Sequence, residues 1–350
     1  MDLTTRPLPS QKEMYNAFMH PKDNDPTSFY VGVISSGVFN TASCLSKKPL
    51  KENMVFFSST KEALDYGYRP CLKCHPMVND KDVPDDISEL LSEVDHNPHM
   101  KVKDADLRKM DIDSEKLRRW FQKHHKITFQ AYLRYQRMNH LFGNIRYDVH
   151  PKVHRSYHMG EIVHGVSESD NKETVEEKTL ISISRIDTPI GPMLAGSVDE
   201  GICLLEFTDR RMLETQLEVI EKRFDAVLTP GESVHFKQLS KELGEYFNGK
   251  RKEFNVPLAY PGTAFQENVW GSLIEIPFGK TRSYKQQSIH LKNPKAIRAI
   301  AHANGDNRIA ILIPCHRIIG SNGELVGYGG GLWRKQYLLD LENPGQTRMF

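Results

Sequence analysis

Near the C-terminus a single thiol stands in unusual company. In "IAILIPCHRIIG", Ile309 to Gly320, an apolar run ends at Pro314 and is followed at once by Cys315, His316 and Arg317. A cysteine closing a buried strand is ordinarily an inert core residue. Three neighbours open a second reading. Pro314 cannot continue a ladder, so the chain turns and Cys315 is held in a fixed pose. His316 can carry a proton near neutral pH. The charge of Arg317 would favour the thiolate, the nucleophilic form of cysteine. Adjacent residues of an extended chain point to opposite sides, so a turn or a bridging water must connect thiol and imidazole. A second group of cysteines lies in the first quarter of the chain, Cys71 and Cys74 in "RPCLKCHP" with Cys44 upstream. A C-x-x-C in a turn-rich segment has metal-ligand spacing. The remaining cysteine, Cys203, sits in the apolar "EGICLLEF" and reads as core.

Five cysteines is an odd number, which argues for a reducing compartment and for metal or chemistry rather than disulfides. The bacterial cytoplasm, close to the nucleoid, is the expected location. "MDLTTRPLPS" lacks the basic and apolar regions of a signal peptide, and no apolar run approaches the ~20 residues of a membrane helix. With 39% hydrophobic and 26% charged residues the chain has a soluble globular composition, and its 350 residues exceed one ordinary core. A net charge of +2 leaves any nucleic-acid surface to a local patch.

The elements that must position these residues follow from periodicity. Residues 1–83 are turn-rich, with a strand at Phe29–Ser35, a short helix at Lys61–Tyr68 and a knuckle at Arg69–Pro76. Residues 84–142 are helical. "DDISELLSEVD" places Ile87, Leu90, Leu91 and Val94 on one face. A break near Asp111–Asp113 then separates two helices, the second capped by Asp113 or Ser114. That second helix presents Lys116, Arg118, Arg119 and Lys123 around Leu117, Trp120 and Phe121, a helix–turn–helix spacing. A solvated basic helix on a packing domain would look the same. Residues 143–178 are polar and read as a linker. From 179 to 258 three short strands form an antiparallel meander, followed by helices around Met212–Phe224 and Lys237–Phe247. Residues 259–350 are mostly helical, with the cysteine stretch as an extended interruption.

"IPCHRIIG" resembles the active-site signature of the O6-alkylguanine-DNA alkyltransferases. The likeness continues over "GTAFQENVW", "IPFGKTRSYKQQ", "NPKAIRAIAHANGDN" and "GYGGGLWRKQYLLDLE", from about Leu180 to Glu342. The resemblance implies a ribonuclease-H-like antiparallel sheet followed by a winged-helix-like helical subdomain. It implies that Cys315 accepts an alkyl group irreversibly from guanine O6, and more weakly from thymine O4, with no organic cofactor. His316 would deprotonate the thiol through a water and Glu342 would orient that histidine. Asn307 would brace the active-site turn and Tyr284 would donate a proton to the departing guanine. Arg298 would enter the stack of double-stranded DNA, from the minor groove, where the damaged base is flipped out. Tyr328 and Gly329 would form the pocket loop, where the family often has serine in place of Gly329. Taken singly, Asn307 reads as a turn residue, Arg298 as a solvated helix position and Glu342 as a surface carboxylate; their joint spacing selects the other reading. A cysteine peptidase would need a separate histidine and a substrate cleft, which the adjacent pair does not supply.

The first part resembles the zinc domain of Ada-type proteins over "SSGVFNTASC", "KENMVFFSSTKEAL" and "YGYRPCLKCHP". That family uses four cysteines, the first being both a zinc ligand and the acceptor of methyl groups from phosphotriesters. Here that position is Asn40. Phosphotriester repair is therefore expected to be lost. Cys44, Cys71 and Cys74 are left to hold a structural zinc, with water or His75 as a fourth ligand, unless the domain is a metal-free remnant. "LRRWFQKHHKITFQAYLRYQRM" resembles one of the two helix–turn–helix units of AraC-type regulators, with Arg118 and Arg119 as its DNA contacts. The whole reads as a multidomain α+β protein, expected to be a monomer that binds alkylated DNA and no membrane. The competing class is a transcriptional regulator of the alkylation response with repair as a secondary activity.

Overall fold

The structure, a computed structural model, describes residues 9–20, 29–78, 83–142 and 179–344. The expected linker at 143–178 lies outside the described residues. The described residues up to Phe142 form one compact unit and those from Thr179 onward a second.

In the first unit, helix α1 (Gln11–Met19) starts at a capping box between Ser10 and Glu13. Strands β1 (Tyr30–Val33), β2 (Val38–Thr41), β3 (Met54–Phe57) and β4 (Arg69–Pro70) form a sheet of order β3-β1-β2-β4. Its alternating residues separate two apolar faces. Val31 and Met54 meet Met14 and Phe18 of α1. Phe39 and Phe57 face the opposite way, in one cluster with residues of helices α3 (Asp85–His96), α5 (Ser114–His125) and α6 (Phe129–Phe142). Helix α2 (Thr60–Asp65) and helix α4 (Asp104–Lys109) complete this unit. The turn between α4 and α5 contains Asp111 at φ 57°, and Asp113 caps α5 by accepting from the N–H groups of Glu115 and Lys116. The periodic apolar positions Ile87, Leu90, Leu91, Val94, Leu117, Trp120 and Phe121 are all buried, as the helical pattern requires.

The second unit opens with β5 (Thr179–Ile186), β6 (Met193–Val198) and β7 (Gly201–Phe207), an antiparallel meander. Helix α7 (Leu213–Phe224) leads to a fourth strand, β8 (Ala226–Pro230), which pairs with β5 in parallel. The sheet order is β7-β6-β5-β8, so the sheet is mixed rather than purely antiparallel. The parallel strand follows from α7, a crossover that returns the chain to the sheet in the same direction. Helix α8 (Val234–Phe247) and α9 (Ala264–Ile274) follow. After them come β9 (Arg282–Ser283) with α10 (Tyr284–His290), then α11 (Ile297–Gly305), β10 (Ile318–Ile319) and α12 (Leu332–Glu342). One core joins sheet and helices, from Met193 and Phe207 through Tyr246 and Trp270 to Ile309–Ile313 and Leu338. Cys203 is buried on β7, its thiol pushed up to about 12 by burial.

The stretch before Cys315 is not a strand. Only Ile309 bridges to Leu205 of β7, through bonds of 2.8 Å from Leu205 N–H to Arg308 O and from Ala310 N–H to Leu205 O. The chain then coils within the core. Leu312 N–H reaches Ala310 O across Ile311, which sits at φ 73°, the rare γ-turn geometry that costs a β-branched residue about 1–3 kcal/mol. Pro314, at φ −82° and ψ 61°, centres a second tight turn from Cys315 N–H to Ile313 O. A strand would have sent Cys315 and His316 to opposite faces. Instead Cys315–Arg317 is one turn of 3-10 helix.

Candidate active site

The geometry is built outward from that turn. Asn307, the first residue beyond the end of α11 and its cap Asp306, is buried and uses its whole amide. Its Oδ1 accepts from Ile309 N–H at 3.0 Å, and its Nδ2 donates to Ile313 O at 2.8 Å and to Cys315 Sγ at 3.3 Å. The amide therefore spans the strained turn and touches the thiol. Cys315 is pushed above the ordinary thiol value by burial, which outweighs the hydrogen bond from Asn307 and the charges of Arg210 and Lys335.

His316 is fully buried. Its Nε2 lies 2.9 Å from Glu342 Oε1. Arg317 fixes the charge of that carboxylate with two parallel bonds of 2.9 Å, Nε to Oε2 and Nη2 to Oε1. Tyr246 Oη donates to Oε1 at 2.8 Å and Gly279 N–H to Oε2 at 3.1 Å. Burial alone would raise Glu342; the bonds and charge of His316 and Arg317 win and hold it well below the usual carboxylate range. A carboxylate only accepts, so the imidazole proton is on Nε2 and the lone pair on Nδ1. Nδ1 is enclosed and has no hydrogen-bond partner among the described residues. Burial lowers His316 further than Glu342 raises it, leaving a neutral imidazole with one unused acceptor.

Arg317 differs from its expected role. Its guanidinium is taken up by Glu342 and by Ile276 O at 2.5 Å, so it acts on the carboxylate rather than on the thiol. The cations that favour the thiolate are Arg210 and Lys335, neither of which stands out in the sequence. Lys335 is fully buried on α12, donating to Val326 O at 2.6 Å and so tying down the loop before Tyr328. The apolar helix pattern around it gives no such signal.

The remaining predicted residues fall as follows. Tyr284 begins α10, half-buried, and its phenol is raised by burial and by Cys315. A Cβ on Gly327, at φ 55°, would lie 3.0 Å from the Tyr284 hydroxyl, so this glycine lets the pocket loop approach the tyrosine. Tyr328 is edge-on to His316 with ring centroids 6.5 Å apart, and its enclosed hydroxyl has no partner among the described residues. Gly329 follows it, exposed. Arg298 is exposed on the first turn of α11, the helix that leads into Asn307. Arg118 and Arg119 are exposed on α5 of the first unit, and Arg118 pairs with Glu115 at 2.6 Å.

In the first unit the sulfurs of Cys44, Cys71 and Cys74 lie within 4.8 Å of one another. Each receives a backbone N–H: Ser46 to Cys44 at 3.5 Å, Lys73 to Cys71 at 3.4 Å and Thr41 to Cys74 at 3.4 Å. The Cys71 thiol is pushed down, first by hydrogen bonds from the Cys44 and Cys74 thiols. Three clustered, amide-supported sulfurs fit a structural zinc. Among the described residues His75 is not part of this cluster. Asn40 is buried on β2 and its Nδ2 donates to Val31 O at 3.3 Å.

Known protein families match stretches of both units. Residues 264–344 match the family described as 6-O-methylguanine DNA methyltransferase, DNA binding domain, and residues 181–260 match its ribonuclease-like domain. Residues 13–77 match the metal binding domain of Ada. A methylated-DNA–protein-cysteine methyltransferase of Methanosarcina barkeri is 42% identical over 45% of this chain and 94% of its own. One of Mycobacterium bovis is 44% identical over 49% of this chain and 99% of its own. The crystal structure of Mycobacterium tuberculosis OGT in complex with DNA shares 38% identity over 47% of this chain and 93% of that chain, with a TM-score of 0.40. Among the described residues no helix is long and apolar enough to cross a membrane. With 94% of a relative's length matched at 42% identity, the chain belongs to the methylated-DNA–protein-cysteine methyltransferase family and carries an Ada-type metal-binding domain.

Proposed function

We propose that this protein repairs alkylated DNA by moving the alkyl group from guanine O6, and more weakly from thymine O4, onto Cys315. The observation that carries the reading is the joined set Asn307–Cys315–His316–Glu342, in which a buried neutral imidazole is oriented at one nitrogen and unused at the other. The Cys315 proton passes through a water to His316 Nδ1, and the resulting imidazolium is stabilised by Glu342. Sγ attacks the alkyl carbon, the carbon–O6 bond breaks, and Tyr284 supplies a proton to the departing guanine. The product is a thioether, so each molecule acts once. The alkyl group comes from DNA itself, and the chemistry draws on no organic cofactor.

Double-stranded DNA would be met by the helical subdomain, with the damaged base flipped into the pocket and the exposed Arg298 filling its place in the stack. The fold supports a ribonuclease-H-like sheet subdomain ahead of a winged-helix-like one. A zinc held by Cys44, Cys71 and Cys74 would be structural in the first unit. Asn40 is no nucleophile, so phosphotriester repair and the regulation it would trigger are absent from this reading. The protein would work as a cytoplasmic monomer.

The test is a mass measurement. After incubation with an oligonucleotide containing O6-methylguanine, the peptide holding Cys315 gains one methyl group and the gain saturates at one per chain. Cys315→Ala gains none while still binding the lesion. Folded wild-type protein without the adduct sinks the proposal.

A further inference from the structure

The backbone angle of the pocket loop does not require glycine at position 329. The space does. A Cβ on Gly329 would lie 2.5 Å from Arg210 Cζ and 2.8 Å from its Nε and Nη2. Arg210 comes from a distant part of the chain, three residues past the end of β7, and is itself buried. Its Nη1 pairs with the fully buried Glu206 of β7 and also donates to Asn307 O at 3.2 Å. Its Nη2 donates to Gly305 O, at the end of α11, at 2.5 Å. Its enclosed Nε, on the side that meets Gly329, has no partner among the described residues. Gln216 of α7 supports the same carbonyl, donating to Asn307 O at 3.2 Å.

One guanidinium thus bonds the sheet, the end of the helix carrying Arg298 and the hinge residue that touches Cys315, and lies close against Gly329 of the loop that carries Tyr328. We propose that Arg210 is a positioning residue for alkyl transfer, clamping the Asn307 hinge and the Tyr328–Gly330 loop around Cys315, and that Gly329 is glycine to admit it. This rests on Cys315 being the acceptor. A buried ion pair is commonly replaceable by apolar residues without loss of stability, so stability alone gives no reason to keep this one. Its contacts supply the reason: they run to both elements that frame the thiol. Burying the cation near Sγ also favours the thiolate against the opposing charge of Glu206. The other titratable groups around the thiol are Tyr284 on α10, His316 beside it, Tyr328 on the loop and Lys335 on α12.

The experiment is single-turnover methyl transfer by the full chain, from acid to alkaline pH, for Arg210→Ala, Arg210→Lys, Gly329→Ser and the double variant Arg210→Ala/Gly329→Ser. Arg210→Ala slows transfer by about tenfold or more, the scale of a misplaced reacting group, and moves the alkaline limb of the profile upward. Arg210→Lys keeps the charge and one donor, so its limb stays near wild type while its rate falls. Gly329→Ser slows transfer alone but adds nothing to Arg210→Ala, because the clash partner is gone. Multiplying effects in the double variant, or a folded Arg210→Ala with wild-type rate and profile, overturn the clamp. If Arg210→Ala does not fold, Gly329→Ser and Arg210→Lys decide it: wild-type rates in both refute it. Wild-type protein that transfers nothing refutes the Cys315 reading instead.

Discussion

Glu342→Gln is the substitution whose consequences the structure fixes most tightly. The carboxylate accepts five bonds: Tyr246, His316 and one Arg317 nitrogen on Oε1, the other Arg317 nitrogen and Gly279 N–H on Oε2. A glutamine can keep three of them by placing its carbonyl at Oε1. Its amide nitrogen then faces Arg317 Nε and Gly279 N–H, two donors left without an acceptor. Each orphaned buried donor costs about 1–3 kcal/mol, and removing the anion from a buried guanidinium costs about 3–5 kcal/mol; the two descriptions overlap, so the loss is about 3–5 kcal/mol. Against a domain stability of about 5–15 kcal/mol this removes much of the margin. In this orientation His316 still donates from Nε2, so Nδ1 remains the base. What is lost is the charge that steadies the imidazolium, about 1.5–3 kcal/mol or roughly 10- to 150-fold in rate. The reverse amide orientation would force the proton onto Nδ1 and cost about 10⁴-fold, as misplaced tautomers do in triads. The assays are single-turnover transfer followed by intact mass, and amide hydrogen exchange across α12. The prediction is a rate loss in the smaller range with faster exchange in α12. Transfer at the wild-type rate with unchanged exchange refutes the claim that this carboxylate supports His316.

Asn307→Ala orphans Ile309 N–H and withdraws the bonds to Ile313 O and Sγ, so stability falls by about 1–3 kcal/mol, measured as a lower Tm, and the thiol titrates higher still, measured by alkylation rate against pH. His316 is depressed by folding, so its contribution is present above its unfolded value of 6.5 and is lost as pH falls; Glu342, also depressed, adds a loss below 4.5. Hydrogen exchange in α12 should therefore accelerate as pH drops below 6.5, after correction for intrinsic rates, and His316→Gln should flatten the first step. Metal analysis of the purified chain should return one zinc with three sulfur neighbours at about 2.3 Å by X-ray absorption, and Cys71→Ser should release it and lower the Tm of the first unit. A natively folded first unit without metal refutes the zinc assignment.

The sequence shows some of this site openly and hides the rest for identifiable reasons. Asn307, Cys315, His316 and Glu342 are legible because they stand in one short motif and one distant but distinctive one. The helices are legible because Ile87, Leu90, Leu91 and Val94 keep a 3.6-residue period. The run Ile309–Ile313 reads as a strand because a continuous apolar stretch says only that the residues are buried, not how the backbone runs. Nothing in it announces that Ile311 adopts a positive φ. β8 is five residues long and follows a helix, too short for alternation to reveal. Arg210 looks like a surface charge in "TDRRML", and the carbonyls it binds are 95 and 97 residues away, beyond any spacing rule. Arg317 stands beside the thiol in sequence, yet its partner lies 25 residues on.

The displacement of Arg317 from thiol to carboxylate changes how the acceptor is kept. A resting thiolate would be exposed to any oxidant or alkylating agent that reached it, and a single-use acceptor cannot recover from such losses. Here burial holds Cys315 as a neutral thiol and His316 as a neutral base. A buried charge pair, Arg317 with Glu342, supports the imidazole from behind. That pair keeps the carboxylate ionised, so in the proposed transfer it would stabilise the imidazolium as a proton leaves Sγ. The thiolate formed this way derives from a high-pKa thiol and is the stronger nucleophile for it. On the proposed transfer to Cys315, the reactivity would be stored in the relay behind the cysteine rather than in the cysteine itself.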